Sequence, residues 1–142
     1  MKNIIVTGGS RGIGKCLVEN LAKDGNNVLL NYNKSEKQAK KIQNDLKEEG
    51  VLIETYKADV SNKAEVKKMV QFALSKWAKI DVLINNAAIA KLHMFQDVTE
   101  EEWNEIIDIN LKSTFYMVQE VAPSMIHEKK GCIINISSIW GM

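Results

Sequence analysis

The 142-residue sequence lacks several features that would assign it to a particular class. It has no apolar run of about 18 residues, the length that a membrane-spanning helix needs. It also has no run of five or more like charges, and its 19 basic and 18 acidic residues leave a net charge of only +1. No electrostatic feature therefore indicates a nucleic-acid or membrane partner.

Cysteine and histidine are equally sparse. The two cysteines, Cys16 and Cys132, do not form a C-x-x-C pair, and the apolar run in the opening MKNIIVTGGS is too short for a secretory signal. His93 and His127 lack partners at metal-ligand spacing, so no metal site is predicted. We expect a reduced, cytoplasmic protein, and its length and lack of repeats indicate one domain over residues 1–142.

Five short apolar runs alternate with longer segments of helical period. This pattern predicts the order βαβαβαβαβ. The predicted strands are residues 3–7, 27–32, 51–56, 81–86 and 132–137. Several of these runs are apolar on both faces, as expected for parallel strands that are covered by helices.

The segments between the strands contain apolar stripes at helical spacing. The residues in the two clearest stripes are Ala39, Ile42 and Leu46, followed by Val66, Val70, Ala73 and Trp77. Thr99 and Glu102 have the spacing of a capping box. The helical stretch that follows them is predicted to run, with a break, to about His127. Trp77, Trp103 and Trp140 are interpreted as packing residues.

Connections between parallel strands are almost always right-handed, which predicts one parallel, doubly wound α/β sheet with helices on both faces. The strand order that we expect for it is 3-2-1-4-5. Ligands bind such sheets beyond the carboxyl ends of the strands. The same geometry puts the first two helices on one face and leaves that face bare over strands four and five. It also leaves strand five with an apolar, unpaired edge.

The first predicted strand runs into TGGSRGIG, residues 7–14, which opens directly into a helix. Gly8, Gly12 and Gly14 permit a tight turn, a close approach to a pyrophosphate and close helix–strand packing, while the helix N-terminus offers free N–H groups. A purely structural turn is the other interpretation of this loop.

The T-G-x-x-x-G-x-G spacing of this loop resembles the short-chain dehydrogenase/reductase family. Four further stretches match the family in order and spacing: ADV at 58–60, NNAA at 85–88, IIDINLKSTF around Asn110, and IINISSIWG ending at Gly141. The resemblance covers the whole chain, and within the family it is closest to bacterial 3-oxoacyl-acyl-carrier-protein reductases.

The loop and the resemblance together mark a set of candidate cofactor-binding residues: Thr7, Gly8, Ser10, Arg11, Gly12, Ile13, Gly14, Asn31, Lys34, Asp59, Val60, Asn86, Ala87 and Ala88. The resemblance implies that Asp59 binds the adenine amino group, that Val60 flanks the ring and that the turn at 86–88 lines the middle of the cofactor. An ordinary strand-end turn is the other interpretation of Asp59. Ala88 stands where the family usually has Gly.

The end of the second strand bears on the choice of cofactor. NAD enzymes place a carboxylate there for the ribose 2′-OH, but NYNKSE at 31–36 has no acid until Glu36, which we expect in the first turn of a helix capped by Ser35. Arg11 and Lys34 suit a 2′-phosphate. NADP(H) is therefore predicted in preference to NAD(H), although both cations are also compatible with ordinary solvated surface positions.

Catalysis in the resembled family uses a Tyr, a Lys, a Ser and an Asn. Ser138 and Asn110 match two of these groups; without the family they would be a turn residue and a polar residue at a helix irregularity. The residue four positions after each of the three tyrosines is Glu36, Val60 or Glu120, so the Tyr-x-x-x-Lys pair is absent. We expect a chain cut before that motif and, on its own, inactive.

The resemblance implies NADPH-dependent reduction of a ketone to a secondary alcohol, with 3-oxoacyl-acyl carrier protein as a candidate substrate. Lys129 and Lys130 lie where the resembled reductases carry basic residues for the acidic carrier protein, and a solvated loop pair is the alternative. The intact family form is expected to be a homotetramer or homodimer. The alternative function is a truncated, non-catalytic module that binds a nucleotide or a partner subunit.

Overall fold

A computed structural model describes residues 1–138 of the chain and shows a parallel five-stranded sheet. The strand order is β3-β2-β1-β4-β5, which confirms the predicted topology. The strands in chain order are β1 (Asn3–Val6), β2 (Asn27–Tyr32), β3 (Glu54–Lys57), β4 (Val82–Asn85) and β5 (Cys132–Asn135).

Helices cover both faces of this sheet. They are α1 (Gly12–Lys23), α2 (Glu36–Glu48), α3 (Lys63–Trp77), α4 (Glu100–Ile107) and α5 (Ser113–His127), with a 3₁₀ turn at Phe95–Asp97 and a π-helical turn at Asp108–Lys112. Within the described residues, no helix combines the length and apolar character needed to cross a bilayer.

The core has two layers because successive strand residues point to opposite faces of the sheet. In β1, Ile4 and Val6 pack with the apolar residues of α1 and α2, whereas Ile5 packs with those of α3 and α5. Full burial of such a side chain contributes about 1.5–3 kcal/mol. The two layers fix the central strands, and these place the loops at their carboxyl ends.

The predicted helical stripes are confirmed, with one exception among the tryptophans. The stripe residues of α2 are buried, as are Val66, Val70 and Ala73 of α3, and Trp77 packs against the same core at partial exposure. The packing role predicted for Trp103 is wrong, because this residue is 57% exposed on α4. Trp140 lies outside the described residues.

Strand β3 begins three residues later than predicted because the preceding residues end helix α2. The Val51 N–H donates to the Leu46 carbonyl at 2.9 Å, as part of the helix terminus. The side-chain amide of Gln43 donates to the Ile53 carbonyl, also at 2.9 Å. Pairing with β2 therefore starts at Glu54, opposite Leu29.

The sheet face that carries α1 and α2 was expected to be bare over β4 and β5, but within residues 1–138 it is bare only over β5. Val82 and Ile84 of β4 are buried in the same cluster as Val18 of α1, so the expectation is wrong for β4. It holds for β5 among the described residues, since all four positions of this strand are exposed. Helix α1 covers β4 because β4 pairs directly with β1, over which α1 packs.

Candidate functional site

A cavity of about 500 Å³ lies at the carboxyl ends of the central strands, at the edge that the topology predicts. Most of the predicted cofactor residues line it: Gly8, Ser10, Arg11, Gly12, Ile13, Asn31, Lys34, Asp59, Val60, Asn86, Ala87 and Ala88. The fold thus brings together residues from four separate segments of the sequence. Thr7 and Gly14 are not in the cavity wall, and both support it from behind.

Thr7 joins the glycine loop to the end of β4. Its side chain is buried at 2% exposure, and its hydroxyl oxygen accepts the N–H groups of Asn86 at 2.9 Å and of Ala87 at 3.0 Å. In return, the Asn86 side-chain amide donates to the carbonyls of Thr7 at 3.0 Å and Gly8 at 3.2 Å. Four hydrogen bonds therefore hold two loops that are about 80 residues apart in sequence.

Two glycines of the loop are required for different physical reasons. Gly12 has φ +52°, and a Cβ built on it would meet no atom within 4 Å, so a ligand can approach its backbone closely. Gly14 lies on the first turn of α1, where a Cβ would overlap the Gly8 carbonyl oxygen and the Asn86 amide. Gly14 therefore lets the helix pack against the loop that it follows.

Asn31 connects the glycine loop to the end of β3. Its side chain is 2% exposed, and its amide donates to the Ala58 carbonyl at 3.0 Å. Its backbone carbonyl accepts the Gly9 N–H at 2.9 Å, and its side-chain oxygen accepts the Gly8 N–H at 3.4 Å. Asn31 thus touches the cavity and, at the same time, aligns the backbone on two sides of it.

Asp59 forms the strand-end turn that was one of its two interpretations. Its Oδ1 accepts the backbone N–H of Ser61 at 2.9 Å and the Ser61 hydroxyl at 2.6 Å. Burial acts to raise the pKa of Asp59, but the hydrogen bonds from Ser61 and Asn33 and the charge of Lys34 outweigh it and hold that pKa below its ordinary value. The carboxylate is therefore ionised where it lines the cavity.

The cations predicted to select the cofactor lie in the wall of the same cavity. Over residues 1–138, neither Arg11 nor Lys34 has an ion-pair partner within 4.0 Å. Glu36, the first acid after β2, pairs instead with Lys40 at 2.6 Å, and that hydrogen bond lowers the pKa of Glu36. Ser35 occupies the N-cap position of α2, as predicted, but its hydroxyl makes no capping hydrogen bond.

Asn110 lies in the π-helical turn between α4 and α5, the predicted break in this helical stretch. Its side-chain oxygen accepts the Ile89 N–H at 2.9 Å, and its side-chain nitrogen donates to the Ile89 carbonyl at 2.9 Å. The helix itself begins at the predicted capping box, in which the Thr99 hydroxyl accepts the Glu102 N–H. The amide of Asn110 thus attaches the segment after β4 to this helix.

Ser138 follows β5 and is exposed at the carboxyl edge of the sheet. Neither Ser138 nor Asn110 is part of the cavity wall. The end of the matched stretch, at Gly141, lies outside the described residues.

Seven residues of the wall were not predicted: Tyr32, Asn33, Ser35, Ala58, Ile89, Glu105 and Ile109. The first four flank predicted positions at the ends of β2 and β3, so the strand-end rule alone could have included them. Ile89 follows the NNAA turn. Glu105 and Ile109 lie four residues apart on the α4 side, and no local pattern distinguishes them from other helix positions.

A parallel sheet of order 3-2-1-4-5, with a glycine-rich turn between its first strand and first helix and a cavity at the strand ends, defines a Rossmann-like α/β fold. The sequence model of one family matches residues 2–142, and that family is described as short chain dehydrogenase. The chain belongs to this family, which consists of oxidoreductases.

Curated relatives agree with this assignment. The chain is 40% identical over 140 residues to a 3-oxoacyl-acyl-carrier-protein reductase of Staphylococcus epidermidis, a match that covers 99% of the chain and 57% of the relative. It is 35% identical over 138 residues to the reductase of the same name from Buchnera aphidicola, covering 97% of the chain and 55% of the relative.

Solved structures show the same fold. A double mutant of a Serratia marcescens short-chain dehydrogenase/reductase matches with a TM-score of 0.89 at 30% identity, over 97% of this chain and 56% of that one. A metagenomic short-chain oxidoreductase in complex with NADP matches with a TM-score of 0.92 at 30% identity, over 99% of this chain and 63% of that one. The chain thus spans little more than half the length of its curated relatives.

Proposed function

We propose that residues 1–142 form the NADP(H)-binding domain of a short-chain oxidoreductase. One observation carries this proposal: the wall of a single cavity contains the glycine loop, Asp59 and two cations without ion-pair partners in the described part of the chain. The solved relative that holds NADP has the same fold.

The arrangement at the end of β2 favours NADPH over NADH. A 2′-phosphate carries negative charge and strong acceptor oxygens, which a guanidinium can bind with two N–H groups at once. Arg11 and Lys34 both line the cavity. Glu36, the carboxylate that would favour a ribose hydroxyl, is held by Lys40 outside the cavity wall.

Binding measurements test this choice directly. NADPH and NADH are titrated against the chain at one ionic strength, with nicotinamide fluorescence as the signal. Arg11→Ala should weaken NADPH binding about tenfold to a hundredfold, the cost of one charge-assisted contact of about 1.5–3 kcal/mol. Lys41→Ala, an exposed cation of α2 that pairs with Asp45, is the control. A preference for NADH, or equal losses in the two variants, would contradict the assignment.

The reaction proposed for the whole enzyme converts a ketone, NADPH and a proton into a secondary alcohol and NADP⁺. NADPH supplies the hydride when bound. Ser138 would orient the carbonyl oxygen through its hydroxyl, and Asn110 would hold a water of the proton relay. The roles of both residues rest on the resemblance to the family.

The substrate class follows from relatives named for 3-oxoacyl-acyl carrier protein. We propose a 3-oxoacyl thioester as substrate and the acidic carrier protein as a partner near Lys129 and Lys130. Comparing acetoacetyl thioesters on the carrier protein with those on a small thiol tests this idea. Equal KM values for the two would remove the carrier protein from the proposal. Cytoplasmic location stays a prediction.

Self-association is the second proposed interaction, as a homodimer or homotetramer. Leu111, Phe115 and Ile126 are large apolar side chains, and all three are exposed along the π-helical turn and α5. Exposed large apolar side chains on one helical stretch are a feature of protein–protein interfaces. Sedimentation equilibrium of the chain would distinguish a monomer from an associated form.

We further propose that these 142 residues alone do not catalyse the reduction. They contain no Tyr-x-x-x-Lys, and a positioned general acid contributes about 10²–10⁴-fold, or roughly 3–5.5 kcal/mol of barrier lowering. A serine hydroxyl is too weak an acid to replace it without activation. In that case the chain as it stands is a binding module, which is the alternative function.

A chimera tests this division of labour. In it, the chain continues into the C-terminal portion of the Staphylococcus epidermidis relative, and NADPH oxidation by ketones is followed at 340 nm. The chimera should turn over at least about a hundredfold faster than the chain. Rates within tenfold of each other would refute the proposal. Reading the coding DNA after codon 142 for an in-frame Tyr-x-x-x-Lys separates an enzyme from a binding module.

A further inference from the structure

The segment after β4 is attached to α4 by polar and charged side chains that belong to none of the matched motifs. The Lys91 Nζ lies 2.6 Å from Glu105 Oε2 and 3.7 Å from Glu102 Oε1. His93 Nε2 lies 3.3 Å from the same Glu102 oxygen. We call Lys91, His93, Glu102 and Glu105 the α4 clamp.

The clamp continues a row of contacts that starts at Ile89. The backbone of Ile89 is bound on both sides by the Asn110 amide, and the next contacts occur at Lys91 and His93, every second residue. An extended segment presents alternate residues on one side. One side of the stretch 89–93 is therefore attached to α4 and to the π-helical turn along its length.

The same stretch forms one end of the cavity. Ile89 and Glu105 are both in the cavity wall, together with Ile109 of the π-helical turn. The ion pair between Lys91 and Glu105 connects α4 to the loop that carries Ile89. Glu105 and Ile89 both line the cavity. The position of the loop against α4 thus sets the width of this end of the cavity.

The Glu102 carboxylate of the clamp is also held by the capping box at the start of α4. Glu102 Oε2 accepts the Thr99 N–H in the capping box, while Oε1 faces Lys91 and His93. Rotation of Glu102 towards solvent would break the cap as well as the contacts to Lys91 and His93. Lys91 therefore meets one fixed acid and a second acid at hydrogen-bond distance, which favours a single geometry.

We propose that Lys91 is a positioning residue that holds the Ile89 segment on α4 and thereby shapes the end of the cofactor cavity. The part of this proposal that concerns the shape of the cofactor cavity rests on the proposed NADP(H) function. The attachment itself does not, because it can be measured in the ligand-free chain.

Amide exchange at Ile89 is the test of the attachment, since its N–H donates to Asn110 and reports whether the segment is in place. In a ¹⁵N-labelled chain of 16.0 kDa, this single amide can be followed by NMR. Lys91→Met should speed its exchange about threefold to tenfold. Lys41→Met, which removes the Lys41–Asp45 pair within α2, should leave it unchanged.

A double-mutant cycle separates the ion pair from a loss of packing. Glu105→Gln should speed the exchange by a similar factor, and adding Lys91→Met to it should have a smaller effect than Lys91→Met alone, because only the 3.7 Å contact to Glu102 Oε1 is then left to lose. Raising NaCl from about 0.05 to about 0.5 M should speed Ile89 exchange in the unmodified chain and not in Lys91→Met, because salt screens the pair. Unchanged exchange in Lys91→Met, or effects that multiply in the double variant, would overturn the attachment.

NADPH titration of the same variants tests the consequence for the cavity. Lys91→Met should weaken binding about threefold to tenfold while the urea midpoint stays near that of Lys41→Met. Faster exchange with NADPH affinity unchanged within twofold would overturn the shaping of the cavity. If the unmodified chain binds no NADPH, the proposed function fails, and the exchange data still decide whether Lys91 holds the segment.

Discussion

Thr7 is the residue whose removal should most directly separate the two loops of the site. Thr7→Val keeps the shape of the side chain and removes the hydroxyl, so the N–H groups of Asn86 and Ala87 lose their acceptor. An unmatched buried donor costs about 1–3 kcal/mol. Because both groups are partly exposed, we take the lower part of that range for each and expect a loss of about 2–4 kcal/mol in the free energy of unfolding.

Thr7→Ser is the matched control, because it keeps the acceptor and removes one buried methyl group. The lost methyl should cost about 1–1.5 kcal/mol, the transfer term plus a small cavity. Urea unfolding, followed by tryptophan fluorescence and extrapolated linearly, measures both variants. The third bond of the hydroxyl, to the Ile84 carbonyl at 3.4 Å, adds little, since that carbonyl already accepts the Thr7 N–H at 3.0 Å. A Thr7→Val loss no larger than that of Thr7→Ser would refute this account.

Two further predictions use other parts of the fold. Gly14→Ala should destabilise the chain by about 1–3 kcal/mol, despite the higher helix propensity of Ala, because the new methyl overlaps the Gly8 carbonyl; urea unfolding checks the sign. For Asp81, burial acts to raise the pKa, but the Asn3 N–H and Lys79 outweigh it and hold the pKa below its ordinary value. The contribution of the Asp81 carboxylate to the free energy of unfolding is therefore present above the unfolded pKa of about 3.9, and it is lost as pH falls through the lower folded pKa. The stability difference between the unmodified chain and Asp81→Asn, measured from pH 6 down to about pH 2, should shrink over that window, and a constant difference would contradict it.

The fold was predictable because its signals are local and repeated. Alternating strands and amphipathic stripes, with the right-handed crossover rule, were sufficient to predict a parallel, doubly wound sheet. The wrong details arise where a longer-range contact decides. Trp103 has a core-like residue type and helical spacing, but the face of α4 that carries it is exposed. Val51 has a strand-like sequence, but its N–H is used to end α2.

The site was predictable to a similar degree, and for the same reason. Motif residues at strand ends must meet at one edge of a parallel sheet, which placed Arg11, Lys34 and Asp59 in one cavity wall. Glu105 could not be found in this way, because its place in the wall depends on how a π-helical turn orients α4 and on the pairing with Lys91. Neither feature leaves a pattern in the local sequence.

One motif can contain residues that reach a ligand and residues that only hold its loops, and sequence spacing does not separate the two. In the glycine loop, Arg11 lines the cavity, whereas Thr7 is not part of the cavity wall and its hydroxyl binds the end of β4. Substitution should affect NADPH affinity and the free energy of unfolding differently for the two kinds of residue. Loss of Arg11 would remove the proposed contact to NADPH and should leave the unfolding free energy nearly unchanged. Loss of the Thr7 hydroxyl should lower both the affinity and the unfolding free energy, because the loops separate. A plot of NADPH affinity against unfolding free energy for variants of residues 7–14 should therefore assign each motif position to one role, which the sequence alone does not allow.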